Sequence, residues 1–150
     1  MTDTDQNYSG FSAEEKAAMK DHAKDAKKAA ARRGTKAEKA AAAERDLLAK
    51  IAEMPDADRV LAERVHTLVT TAAPDLAPRL WYGMPAYAKD GRILCHFQAA
   101  AKFKTRYATL GFSDEAALDD GTLWPVAFAL TELTPADEEF LTALLKRATA

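Results

Sequence analysis

The sequence predicts an α+β fold in which helices pack on an antiparallel sheet of about five short strands. Three observations predict it. Helical patterns fill the first half of the chain, a run rich in aromatic and β-favouring side chains follows, and another helical pattern ends it. This order is typical of α+β proteins, whereas alternating strands and helices indicate a parallel sheet. We expect one long helix before the strands and one helix after them to pack on the sheet.

Residues 1–11 are polar and are predicted to form a disordered tail. Two helices rich in alanine and lysine are predicted after it, over 13–33 and about 36–53. Each begins at a capping-box pattern, in which two side chains three positions apart satisfy backbone N–H groups. The capping residues are Ser12 with Glu15 and Thr35 with Glu38.

These two helices form an extension over residues 12–54 that has few bulky apolar side chains. Among the first 46 residues, only four apolar side chains are larger than alanine. A segment with so little apolar surface cannot build a core of its own. We therefore predict that the extension is mobile or weakly docked, and that an α+β domain spans 55–150.

The domain is predicted to begin with a helix whose first turn contains Pro55 and which ends at Pro74. Its predicted buried stripe consists of Val60, Leu61, Val65, Leu68, Val69 and Ala72. The Asp90-Gly91 pair predicts a hairpin turn within the strand region. The predicted strands are 80–82, 86–89, 92–98, 104–110 and 126–130.

Two further helices are predicted beyond the first four strands. A short one is expected over 114–119, capped by Ser113. The last one has Thr134 as its N-cap and Pro135 at its first position. Its predicted buried face consists of Phe140, Leu141, Leu144 and Leu145.

The composition argues against several classes of function. The formal net charge is −2 and the isoelectric point is near 5.9, whereas nucleic-acid and anionic-membrane binders are usually strongly basic. No apolar run approaches the roughly 20 residues that cross a bilayer. We therefore expect no specific nucleic-acid partner and no membrane partner. A single cysteine, Cys95, and the lack of a visible secretory signal favour a cytoplasmic protein, and the oligomeric state is not predicted.

Residues 60–147 resemble the YdhG-like family of small bacterial domains, which are grouped with frataxin-like and YjbR-like folds. The resemblance rests on Tyr82-Gly83-Met84-Pro85, on the strand that leads from Gly91 into the lysine-bearing segment at Lys104, and on the stretch 121–145. It implies a domain of largely unknown function, and for some relatives a frataxin-like role in binding iron as an iron chaperone. The chain departs from the family where a histidine-containing segment commonly follows the lysine, because residues 102–107 contain none.

The first candidate site surrounds this signature. A break in the strand at Gly83 can turn an aromatic side chain outward, and a nearby lysine would then complete a shallow pocket. The predicted ligand-binding residues are Tyr82, Met84, Pro85, Tyr87, Lys102 and Lys104. The alternative, which we favour, is that the aromatic side chains pack in the core. A small-molecule enzyme using Tyr82, Tyr87 and Lys102 is a further hypothesis.

The second candidate site is acidic. Residues 113–139 contain eight acidic residues and no lysine or arginine, and hard cations prefer such oxygen ligands. Iron, calcium and magnesium are such cations, and the resemblance to frataxin-like proteins implies iron as the most concrete candidate ligand, although no cofactor is certain. The predicted metal ligands are Asp114, Glu115, Asp119 and Asp120. The alternative, again favoured, is that these carboxylates complement the positive ends of helices.

A protein partner is predicted at one of two surfaces. Lys102, Lys104 and Arg106 have alternate spacing at and before the start of the predicted strand 104–110, and they would form a basic face of the sheet if that strand is regular. The N-terminal helices are the other candidate surface. No metal-binding, nucleophile-elbow or phosphate-loop motif occurs in the sequence. The leading hypothesis is therefore a non-enzymatic binding module, with a protein-interaction module or an enzyme as alternatives.

Overall fold

The structure is a computed structural model that describes residues 10–150. The tail predicted over 1–11 lies outside the described residues, except for Gly10 and Phe11. The described chain contains no helix that is both long enough and apolar enough to cross a membrane. The helices are α1 (Ala13–Ala31), α2 (Lys36–Ala52), α3 (Asp56–Ala72), α4 (Ala100–Phe103) and α5 (Pro135–Ala148). The strands are β1 (Ala77–Trp81), β2 (Met84–Lys89), β3 (Arg92–Gln98), β4 (Ala108–Phe112) and β5 (Ala127–Leu130).

The predicted α+β class is confirmed. The strands form one antiparallel sheet in the order β1-β2-β3-β4-β5, so each strand pairs with its neighbour in sequence. The predicted hairpin turn at Asp90-Gly91 is also confirmed, because both residues have the positive φ that a tight turn of this kind requires. The capping boxes predicted for α1 and α2 each supply a side chain that accepts a hydrogen bond at the start of the helix.

The core lies against one face of the sheet. The cross-strand pairs Tyr87–Cys95 and Phe97–Leu110 place these four side chains on the same face, where all are buried. Helices α2, α3 and α5 also contribute residues to the core cluster. These helical residues include Leu47 and Ile51 of α2, Leu61, Val65 and Val69 of α3, and Leu141, Leu144 and Leu145 of α5.

Helix α2 therefore belongs to the core. Leu47 and Ile51 are 0% and 2% exposed, and their spacing of four residues places them on one side of the helix. The boundary predicted at residue 55 leaves both of them outside the domain. In α1, by contrast, Ala18 is the sole buried residue among those described, so this helix adds almost nothing to the core.

Three predictions about the strand region and its surroundings are wrong. The strand predicted at 104–110 is displaced to Ala108–Phe112, because α4 ends at Lys104, which adopts a left-handed conformation with φ of 55°. The helix predicted at 114–119 does not form, and Ser113 instead holds a turn by accepting from the N–H of Glu115. Val60 and Phe140 were predicted to be buried but are 52% and 55% exposed.

Candidate functional site

The turn between β1 and β2 is the centre of the candidate site. Trp81 pairs with Met84, and Tyr82 and Gly83 form a two-residue loop with φ values of 52° and 73°. Positive φ is rare for a tyrosine and easy for a glycine. A side chain at residue 83 would also meet the Nζ atom of Lys102 and the Oδ2 atom of Asp21. Gly83 is therefore needed both for the turn and for the approach of this ion pair.

Helix α4 brings Lys102 to the turn, and Asp58 of α3 fixes the start of α4. The Asp58 side chain is 5% exposed, and its two carboxylate oxygens accept from the N–H groups of Ala100 and Ala101 at 3.0 and 3.1 Å. A carboxylate is the expected partner for the free N–H groups at a helix start. Asp58 thus acts as the cap of a helix that lies 42 residues further along the chain.

A groove of about 290 Å³ lies beside Gly83 and Lys102. Its walls are mainly apolar, and two ammonium groups and one carboxylate stand at its surface. The lining residues are Lys50, Glu53, Met54, Pro55, Gly83, Ala99, Ala101 and Lys102. Of the predicted ligand-binding residues, Lys102 alone is among them. The Nζ atom of Lys102 donates to Asp21 at 2.7 Å, which leaves two of its three N–H donors for another acceptor.

Helix α1 covers the other side of the turn through polar contacts. The ring of His22 stacks on Tyr82 with centroids 3.9 Å apart and an interplanar angle of 15°. Asp21 pairs with Lys102, and Glu14 pairs with Lys104 at 2.7 Å. The hydrogen bond to Lys104 lowers the pKa of Glu14. Since α1 buries so little apolar surface, these contacts are what attach it to the fold.

Two further ion pairs join α1 to α2, beside a carboxylate that is poorly satisfied. Lys28 and Arg32 both pair with Asp46 of α2. Asp25 lies in the same seam, and its Oδ2 atom is buried without a hydrogen-bond partner among the described residues. Burial, with a smaller effect from Asp21, raises the pKa of Asp25. Helix α1 is therefore attached mainly by ion pairs, and one buried carboxylate oxygen at this attachment lacks a hydrogen-bond partner among the described residues.

We predict that α1 exchanges its amide hydrogens much faster than α2, and faster still at high salt. Exposed ion pairs contribute only about 0–1 kcal/mol each, and salt screens them. Hydrogen–deuterium exchange read by mass spectrometry, at low and high salt, measures both effects. Lys102→Met is expected to accelerate α1 exchange, whereas Lys146→Met on α5 is the matched control. Equal protection of α1 and α2 that salt does not change would contradict the prediction.

Three of the predicted site residues are core residues instead. Met84 and Pro85 lie within β2 and are buried. Tyr87 is 0% exposed, and its hydroxyl lies 2.8 Å from Nδ1 of His66, whose Nε2 lies 3.3 Å from Glu44. Burial raises the pKa of Tyr87. The interpretation that the aromatic side chains pack in the core therefore holds for Tyr87.

The hypothetical enzyme pocket is not formed. Neither Tyr82 nor Tyr87 lines the groove beside Lys102. Tyr82 stands in the turn under α1, while Tyr87 is enclosed in the core. Cys95 is also enclosed, and burial raises its pKa to about 12, so it is not a reactive thiol.

The predicted basic face of the sheet is wrong as well. Lys102 lies in α4, Lys104 is the left-handed residue after it, and Arg106 lies 5.4 Å from the ring centroid of Tyr107. These residues do not share a strand, so alternation does not place them on one face. Each cation has a different neighbour, which removes the continuous basic surface.

The four predicted metal ligands do not come together. Within residues 10–150, no three His, Cys, Asp or Glu side chains are arranged so that they can hold a metal ion. Asp114, Asp119 and Asp120 are exposed, and Glu115 pairs with Arg92 at 2.9 Å. This part of the chain is a turn rather than a helix, which leaves its carboxylates spread over the surface.

Sequence reasoning missed the residues that build the groove. Asp58 lies in the first turn of α3, where a carboxylate is expected to complement the helix dipole, and nothing local signals that it caps α4. The sequence places Lys50 and Met54 in the extension over 12–54, which is predicted to be mobile or weakly docked. The one usable signal was Gly83 followed by Met84-Pro85, which did mark a special turn.

Comparisons with known proteins do not assign the chain to a family. It matches no protein-family model, no curated protein and no solved structure. The resemblance to YdhG-like domains therefore stays a prediction.

Proposed function

We propose that this chain is a non-enzymatic binding module that takes a small organic anion with an apolar body in the groove beside Lys102. The observation that carries the proposal is the position of the Lys102 ammonium at a groove with apolar walls. An ammonium with two free donors favours a carboxylate or sulfonate, and Met54, Pro55 and the alanines favour a hydrocarbon body. The cytoplasm is proposed as its location because Cys95 is the single cysteine of this sequence and cannot form an intrachain disulfide.

The YdhG-like relationship is part of the proposal, because the Tyr82-Gly83-Met84-Pro85 signature forms the turn beside which the groove lies. Iron is not part of it, since the described residues offer no group of three metal-ligating side chains. An interaction module made of the N-terminal helices alone is not part of the proposal, because Leu47 and Ile51 pack α2 into the core.

The test is an NMR titration of the full chain with octanoate and, as the charge-reversed control, octylammonium. Octanoate is expected to shift the amide signals of Gly83, Ala101 and Lys102, while octylammonium is not. Lys102→Met is expected to weaken octanoate binding about tenfold or more, which corresponds to one charge-assisted hydrogen bond. Lys104→Met is the matched control, since Lys104 is nearby but outside the groove.

Two results would contradict the proposal. One is equal binding of octanoate and octylammonium, which would show that only the hydrocarbon is recognised. The other is an equal loss of octanoate binding in the Lys102 and Lys104 variants, which would indicate a general effect of surface charge.

A further inference from the structure

The outer edge of β5 lies beside an exposed aromatic side chain of α5. Within β5, Ala127 and Ala129 are exposed, Phe128 is partly buried and Leu130 is 6% exposed. Within residues 10–150, β5 pairs with β4 alone, so the backbone groups on its other edge have no strand partner. Phe140 of α5 is 55% exposed and meets Phe128 of β5 edge to face, with centroids 5.9 Å apart. Edge strands of soluble proteins are usually protected by charge, proline or a covering element, but the four residues of β5 are alanine, phenylalanine, alanine and leucine.

Two grooves meet at this edge. The first has a volume of about 520 Å³ and lies between β5 and α5, where Phe128, Leu133 and Phe140 form its apolar surface. The second, of about 530 Å³, lies between α3 and the loop after β5, where Val60 and Leu133 form its apolar surface. Val60 and Phe140 occupy positions that helical periodicity predicts to be buried, and both face these grooves instead.

The charge around the edge is acidic. Glu132 and Asp137 are the charged residues that line the first groove. They belong to the segment 113–139, which has eight acidic residues and no cation. The cations Arg92 and Arg64 reach this segment from outside, at Glu115 and Glu138. Neither of those pairs involves Glu132 or Asp137. Arg64 also lines the second groove, together with Glu132, and Oδ2 of Asp137 accepts from the N–H of Thr134 at 3.0 Å.

We propose that the β5 edge binds an extended segment of another protein in which a short apolar stretch is followed by lysine or arginine, since Glu132 lies just beyond the end of β5. The backbone of that segment would add a strand to β5, because an unpaired edge offers the donors and acceptors for such a ladder. Its apolar side chains would enter the groove at Phe128 and Phe140. Its cations would lie beside Glu132 and Asp137, where charge complementarity speeds association and selects the partner.

A second copy of this chain is a poorer occupant. In a symmetric antiparallel pairing centred on β5, Glu132 would lie opposite about residue 125 of the other copy. The segment 113–139 contains no lysine or arginine, so a second copy brings no cation to Glu132 from this segment. A basic partner supplies that complementary charge.

The test uses the full chain and short synthetic peptides in which alternating valine and threonine residues are followed by lysine residues or, as a control, by glutamate residues. The lysine peptide is expected to shift the NMR signals of residues 127–133 and 137–141, and the glutamate peptide is not. A lysine peptide with N-methylated backbone amides is expected to bind at least about tenfold more weakly, because methylation removes ladder hydrogen bonds.

Two variants test the side chains. Phe140→Ser is expected to weaken the lysine peptide about tenfold, since an aromatic anchor in a groove dominates such interfaces. Leu48→Ser, at a comparably exposed leucine of α2, is the control and should have no effect. Glu132→Lys is expected to weaken the lysine peptide and to strengthen the glutamate peptide. This charge reversal tests the proposal even if Phe140→Ser fails to fold.

Several outcomes would overturn the proposal. They are equal affinity for both peptides, no binding of the lysine peptide, signal shifts elsewhere on the surface, and self-association of the free chain through residues 126–134. The last outcome would identify a second copy as the occupant. None of these results bears on the groove beside Lys102, so the two proposals fail independently.

Discussion

Leu47→Ala is expected to destabilise the whole fold by about 2–5 kcal/mol, the range found when a buried leucine is truncated. Leu47 is 0% exposed and belongs to the core cluster that includes Tyr87 and Phe97. Removing its isobutyl group leaves a cavity and loses apolar burial. Because α2 lies in the core, the loss should appear as global unfolding at lower denaturant. Urea unfolding followed by circular dichroism measures the change.

The adjacent residue supplies the matched control. Leu48 is 46% exposed, so Leu48→Ala should change the free energy of unfolding by less than about 0.5 kcal/mol. Both variants remove the same atoms from the same helix and have the same effect on helix propensity. Similar small losses for the two variants would mean that α2 is the loosely attached extension that the sequence predicts.

Local patterns made much of the fold predictable. The Asp90-Gly91 turn, the bounds of β3 and the starts of α1, α2 and α5 each depend on residues within one turn of the chain. The burial of α2 was not predictable in the same way. Its first eleven residues contain no apolar side chain larger than alanine, and a count of bulky residues therefore separates it from the domain. Leu47 and Ile51 nevertheless place α2 in the domain, because both belong to the core cluster together with residues of distant strands.

The candidate site was predictable only at its turn. The Tyr-Gly-Met-Pro signature predicts an unusual backbone at residues 82–83, and the structure has one there. The basic sheet face was wrongly predicted because Lys102, Lys104 and Arg106 have the alternate spacing of residues on one face of a strand. The left-handed conformation of Lys104 ends α4, and no simple pattern favours that conformation at a lysine.

The position of Lys102 depends on a contact across 42 residues, and Asp58→Ala tests it. We expect this change to destabilise the fold by about 2–4 kcal/mol, because two backbone N–H groups lose a charged acceptor in a partly buried place. Asp58→Asn should have a smaller effect, since its amide oxygen can still accept one of the two hydrogen bonds. Urea unfolding measures both variants.

Asp56→Ala is the matched control, because Asp56 lies in the same first turn of α3 but its side chain is 96% exposed. Both substitutions remove a carboxylate that complements the α3 dipole, an effect of about 0.3–1 kcal/mol. The excess in Asp58→Ala therefore measures the capping of α4. The Asp58→Ala protein that remains folded should also bind octanoate more weakly, because the cap that orients α4 and Lys102 is lost. Equal destabilisation by the two substitutions would mean that Asp58 does not position α4, and that the geometry of the groove depends on other contacts.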